Sequence, residues 1–137
     1  MIESHTAAGQ VGANYVEQAD LYRRTGQWGE RTIVEQFWAI KERFPAHLAI
    51  ATVDDSLTYA DLDEQSDRFA LGLMEAGLEP GSPVVFQMGN EIETVVAFYG
   101  VLKAGLIPVC SIPNHRLHEV SLIAGASGAR AHIFQAD

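Results

Sequence analysis

From Pro83 to Phe134 the chain alternates short apolar runs with helical stretches, and turn residues punctuate the junctions. Pro83-Val84-Val85-Phe86-Gln87-Met88 and Leu106-Ile107-Pro108-Val109-Cys110-Ser111 read as strands with little polar alternation, as expected when both faces are covered. Ala129-Arg130-Ala131-His132-Ile133-Phe134 reads as a last strand. Asn90 is expected to cap the helix that follows the first strand, with Glu91 and Glu93 near its positive end. Gly105 ends that helix, and Gly128 ends a shorter one over residues 117–126. Helices alternating with strands call for right-handed crossovers. The expected fold class is α/β, a mostly parallel sheet with helices on both faces.

The upstream half is read the same way. Thr32 and Glu35 have capping-box spacing, and Val34, Phe37, Trp38 and Lys41 follow one helical face before Pro45 stops the helix. Residues 48–53 read as a strand, Asp54-Asp55-Ser56 as a turn, and Leu57-Thr58-Tyr59 as the return of a hairpin. Thr58 and Asp61 open a second helix, whose inner face carries Leu62, Ser66, Phe69 and Leu73 and which Gly77 closes. Residues 1–30 are broken by Gly9, Gly12, Gly26 and Gly29, so they read as irregular. They also hold Tyr15, Leu21, Tyr22 and Trp28, more apolar surface than a free tail carries. We therefore expect an N-terminal arm over 1–30 and an α/β unit over 31–137.

Charge narrows the partners. Eighteen acidic residues against nine basic ones give a net charge of −9, and after Arg68 the only basic residues are Lys103, Arg116 and Arg130. No basic stripe exists to track a phosphate backbone, so neither nucleic acid nor an anionic membrane is an expected partner. A single cysteine, Cys110, allows no disulfide within the chain, and no apolar run reaches the ~18 residues of a membrane span. The first fifteen residues have no basic-then-apolar order of a secretory signal, so a cytoplasmic location is expected.

Ligands of open parallel sheets sit at the carboxyl ends of the strands. Two segments fall there: Met88-Gly89-Asn90, and Pro113-Asn114-His115-Arg116. Asn90, Asn114, His115 and Arg116 are the candidate pocket edge. An anion would account for His115 and Arg116 beside a helix N-terminus. The plainer account pairs Arg116 with Glu119 or a distant carboxylate and leaves His115 structural or solvated. Asp61-Leu62-Asp63-Glu64 reads as solvated first-turn carboxylates rather than an acid catalyst, and Cys110 as an inert buried thiol. No His or Cys spacing suits a metal, and the Gly-x-Gly-x-x-Gly, Gly-Lys-Ser/Thr and Gly-x-Ser-x-Gly motifs are all missing. A mononucleotide-like topology without a phosphate loop leaves two readings: part of a larger enzyme, or a standalone non-catalytic α/β interaction module.

Four segments stand in a telling order: Leu57-Thr58-Tyr59-Ala60-Asp61-Leu62-Asp63, Gly72-Leu73-Met74-Glu75-Ala76-Gly77-Leu78-Glu79-Pro80-Gly81, Met88-Gly89-Asn90, and Phe98-Tyr99-Gly100-Val101-Leu102-Lys103-Ala104-Gly105-Leu106-Ile107-Pro108-Val109. The set resembles the N-terminal region of adenylate-forming (AMP-binding) enzymes, over about residues 32–134. Tyr22-Arg23-Arg24-Thr25-Gly26-Gln27-Trp28 and Pro113-Asn114-His115-Arg116 are similar to segments of the aryl acid–AMP ligase branch, such as 2,3-dihydroxybenzoate–AMP ligase. The branch pattern has Ala where Asn114 stands, and many members have Leu-Pro-Asn where Met88-Gly89-Asn90 stands. The resemblance implies a parent enzyme that uses ATP and Mg²⁺ to turn a small carboxylic acid into an acyl-adenylate. The acyl group then passes to the thiol of CoA or of a carrier protein. It also implies that this chain, an incomplete N-terminal subdomain, partners the remainder of the enzyme. The chain lacks the family's phosphate loop, so by itself it is expected to be inactive and to hold no cofactor.

Overall fold

The computed structural model describes residues 16–135. The chain divides into two units, Met1–Thr32 and Ile33–Asp137.

In the first unit, residues 16–24 form a helix, α1, where the sequence reading expects irregular chain. Between Gly12 and Gly26 no glycine or proline interrupts the run, and its residue types tolerate a helix. The Thr25 amide and hydroxyl both donate to Leu21 O at 2.9 Å, and Gly26 turns the chain at φ +73°. The amides of Gln27 and Trp28 then return to Tyr22 O, which brings the Trp28 ring to 5.8 Å from that of Tyr22. The Arg23 guanidinium lies 5.6 Å from the Trp28 ring centre. The rest of the expected arm, residues 1–15, lies outside the described residues.

The second unit runs α2 (Ile33–Arg43), β1 (Leu48–Ala51), β2 (Ser56–Thr58), α3 (Tyr59–Glu75), β3 (Pro83–Gln87), α4 (Ile92–Lys103), β4 (Ile107–Cys110), α5 (Leu117–Ser127) and β5 (Ala131–Phe134). β1 and β2 form the expected antiparallel hairpin. It turns earlier than expected, because Thr52 bonds Asp55 through both amide and hydroxyl, and Val53 stands 99% exposed at the tip. β3, β4 and β5 form a parallel sheet in the order β4-β3-β5, with Val85 opposite Val109 on one side and His132 on the other. The crossovers from β3 to β4 and from β4 to β5 run in opposite directions across the sheet, so right-handed connections put α4 and α5 on opposite faces. Val84 and Phe86 pack with Ala70, Ala97 and Val101 of α3 and α4. Val85, fully buried, points to the other face, where α5 meets β3.

Four expectations are corrected. β4 is an edge strand and only partly covered, so Ile107 is 51% exposed and the Cys110 thiol is exposed rather than buried. On α2 only Phe37 is buried, and Trp38, one residue round the helix, stands 45% exposed. Asn90 does not cap α4. Glu91 is the N-cap residue and makes no side-chain cap bond, while the Thr94 hydroxyl donates back to Gly89 O at 2.7 Å and tightens the first turn.

Asp63 is the fourth. It is not a solvated first-turn carboxylate but a buried one between two lysines. Lys103 Nζ lies 2.5 Å and Lys41 Nζ 2.8 Å from its oxygens. Lys103, whose side chain is 3% exposed, also reaches Asp67 at 2.7 Å and lies 5.2 Å from the Phe37 ring centre. This ion cluster ties α2, α3 and α4 together. Alongside it, Gly100 brings α4 close to α3: a Cβ there would lie 2.7 Å from Phe69 Cδ1 and 3.0 Å from Ser66 O. Ser66 is fully buried and satisfies its hydroxyl on Leu62 O at 2.6 Å.

Candidate functional site

β3 and β5 end side by side where the strand order reverses, the position at which an open α/β sheet leaves a crevice. A cleft of about 350 Å³ lies there, lined by Gln87, Gly89, Glu91, Pro113, His115, Phe134 and Gln135. The lining draws on the ends of β3 and β5 and on the loop after β4. Gln135 Nε2 donates to Glu91 Oε2, so the residue after β5 closes onto the residue before α4. Gly89 leaves room for this closure, since a Cβ there would stand 3.0 Å from Gln135 Oε1.

Of the four residues expected at a pocket edge, His115 lines this cleft. Its Nδ1 lies 2.8 Å from Ser111 Oγ, so Ser111 orients the ring. Asn90 lines a neighbouring cleft of about 430 Å³ with Asp54, Asp55 and Glu93, and Glu91 borders both. Asn114 and Arg116 are exposed and line neither. Arg116 is the N-cap of α5, and its backbone amide donates to Glu119 Oε2 at 2.9 Å. Glu119's own amide and that of Arg116 hold its carboxyl below the usual carboxylate range. The first turn of α5 therefore already has an anion, supplied by the chain itself. The expected Arg116–Glu119 contact exists, but it runs through the backbone amide.

Gln87 escaped the sequence reading. Its amide nitrogen donates to Ile112 O and Pro113 O at 3.1 Å and to His115 O at 2.8 Å, and its amide oxygen lies 3.0 Å from His132 Nε2. A polar residue closing an apolar run was the available signal. Nothing in the spacing names partners 25–28 residues downstream.

Two further clefts lie elsewhere. One of about 620 Å³ sits at the opposite end of the sheet, among the turns of Gly77, Pro80, Gly81 and Gly128. An apolar one of about 260 Å³ includes Phe69, Met88, Val96 and Phe134.

Residues 37–137 match the family model described as AMP-binding enzyme. The chain belongs to that family. It is 36% identical over 118 residues to a salicyl-AMP ligase / salicyl-S-ArCP synthetase of Mycobacterium tuberculosis, covering 82% of this chain and 21% of that protein. It is 32% identical over 115 residues to the vibriobactin-specific 2,3-dihydroxybenzoate-AMP ligase of Vibrio cholerae, covering 84% of this chain and 21% of that protein. The apo structure of MbtA from Mycobacterium smegmatis superposes with a TM-score of 0.80 at 37% identity, over 85% of this chain and 22% of that one. The N-terminal subdomain of NpsA from Klebsiella oxytoca gives 0.72 at 25% identity, over 76% and 27%. The AMP-binding resemblance and the α/β fold expected from the sequence therefore both hold. The chain spans about a fifth of the length of the curated relatives it matches.

Among the described residues no three His, Cys, Asp or Glu side chains gather to hold a metal ion. The segments after β3 and β4 carry no glycine-rich phosphate loop. No helix of the described residues is long and apolar enough to cross a membrane.

Proposed function

We propose that this chain is the N-terminal part of an ATP-dependent aryl acid ligase. In the first half-reaction the acid's carboxylate attacks the α-phosphorus of ATP, forming acyl-AMP as the bond to pyrophosphate breaks. A thiol then attacks the acyl carbon and AMP leaves. The observation that carries this reading is the 36% identity, across most of the chain, to a relative whose name joins salicyl-AMP formation to loading of a carrier. A carrier-protein thiol is therefore preferred to CoA as acceptor. In this reading Mg²⁺ accompanies ATP, the protein works in the cytoplasm, and the residues for phosphate chemistry come from elsewhere in the enzyme. His115 forms one edge of the pocket at the carboxyl ends of the sheet, with Asn114 and Arg116 in the same loop and Asn90 in the neighbouring cleft.

The test is ATP–pyrophosphate exchange by the product of the complete reading frame that contains this chain, with salicylate, 2,3-dihydroxybenzoate and a medium-chain fatty acid. Exchange is expected with at least one aryl acid, and none from the 137-residue chain alone. Exchange with the fatty acid only would overturn the aryl assignment, and no exchange with any acid would overturn adenylation.

A further inference from the structure

The Gln87 amide is used in one direction only. Its nitrogen end faces three carbonyl oxygens, those of Ile112, Pro113 and His115, and only an NH₂ group can face acceptors. Its oxygen end then requires a donor, so His132 carries a proton on Nε2, 3.0 Å away. His132 lies on β5 and the three carbonyls lie in the loop after β4, so one side chain at the end of the central strand spans both flanking strands.

No other residue type does both jobs there. Glutamate would set an oxygen against three carbonyl oxygens. Asparagine is one methylene shorter, and methionine fills the space with neither donor nor acceptor. The loop depends on this contact. Among the described residues, the Ile112–His115 backbone makes one backbone–backbone hydrogen bond, from His115 N to Ile112 O at 3.1 Å, and none to the backbone of β3 or β5. Ser111 N to Phe86 O, at 2.8 Å, is the last rung that holds the chain to the sheet before the loop departs.

We infer that Gln87 is a positioning residue. It latches the loop over residues 112–116 to the carboxyl end of the parallel sheet, and through that loop it sets where the His115 imidazole stands in the cleft. His132 orients the latch. A consequence for acid activation rests on the function proposed above; the latch itself rests only on the geometry.

Amide hydrogen exchange and imidazole NMR resonances of this chain test it. Gln87→Met is expected to speed exchange at the His115 amide by about tenfold or more, the signature of local opening. It is also expected to move the His115 ring resonances toward those of a free histidine, with exchange in β3 and α4 unchanged. His132→Phe should give the same pattern at smaller amplitude, and His132→Gln, which keeps a donor, should restore the wild-type pattern. An unmoved loop in Gln87→Met, or a rise spread evenly over β3 and α4, would overturn the inference. Should Gln87→Met not fold, His132→Phe decides alone. His132 is exposed, so its loss spares the core, and unchanged exchange at His115 would reject the latch. These readouts need neither acid nor ATP, so they can fail while the ligase reading stands and succeed while it falls.

Discussion

Asp63 accepts from two ammonium groups at a position where only 11% of its side chain meets water. Burial pushes its carboxyl upward, but the hydrogen bonds and charges of Lys103 and Lys41 outweigh that and hold it below the usual carboxylate range. A folded-state value below the unfolded one, about 3.9, means the stabilisation is fully present above the ordinary carboxylate range and is lost as pH falls through the depressed value. Asp63→Asn is therefore expected to lower stability at pH 7 by on the order of 2 kcal/mol, because Lys103 keeps Asp67 while the buried charge balance is lost. The gap to wild type should narrow as pH falls below the ordinary carboxylate range and through the depressed value. Urea unfolding of both proteins between those limits is the check, and a gap independent of pH would remove the ion cluster as the cause. Lys41 is one-third exposed and screened by solvent, so Lys41→Met should cost much less than Asp63→Asn. The sequence reading missed Asp63 because three carboxylates in the first two turns of α3 look alike on paper. Asp61 serves the Thr58 cap and Glu64 pairs with Arg68, whereas Asp63 sits one position round the helix, facing lysines 22 residues before it and 40 after.

At the scale of elements, the order of helices and strands from α2 to β5 was legible, because caps and glycines are local signals. Thr58 and Asp61 form the reciprocal cap the spacing implied, and Gly77, Gly105 and Gly128 close their helices at φ +83°, +71° and +67°. What was not legible was which strand lies in the centre. β3 and β4 are similarly apolar in sequence, yet among the described residues only β3 has two neighbours, so the expected burial of Cys110 failed with the expected burial of β4. The approach of α3 to α4 likewise depends on a pairing distant in sequence. Gly100→Ala should place a methyl against Phe69 and the Ser66 carbonyl, and overpacking of this kind costs about 1–3 kcal/mol. That exceeds the roughly 1 kcal/mol a helix gains from alanine over glycine. Around Gly72 in α3, nothing lies within 4 Å of the point a Cβ would occupy, so Gly72→Ala should instead stabilise by about 0.5–1 kcal/mol. Thermal denaturation of the pair checks this, and destabilisation of equal size at both sites would show that close helix packing is not the reason for Gly100.

At the scale of the whole chain, the candidate site divides into a part that sequence could place and a part it could not. Rules of sheet topology put His115 near the carboxyl ends, and the structure finds it lining the cleft there. Asn114 and Arg116 share its loop yet line neither cleft, because a loop's side chains follow no period that sequence reveals. The same unit leaves apolar surface uncovered. α5 buries none of its residues, with Leu117 83% and Leu122 61% exposed, while Ile107 on β4 and Phe134 on β5 stand 51% and 58% exposed. Among the described residues neither β4 nor β5 has a partner on its outer side. Open strand edges beside apolar patches are templates for association, and a net charge of −9 opposes contact only while salt is low. The 137-residue chain is therefore expected to bind an apolar dye and to self-associate more strongly as salt rises. Leu122→Glu with Ile107→Lys should suppress both effects while leaving the unfolding free energy within about 0.5 kcal/mol, since neither side chain is buried. Sedimentation and dye fluorescence across a salt series decide the matter. A wild-type chain that stays monomeric and dark at high salt would mean that these faces, exposed as they are, do not drive association.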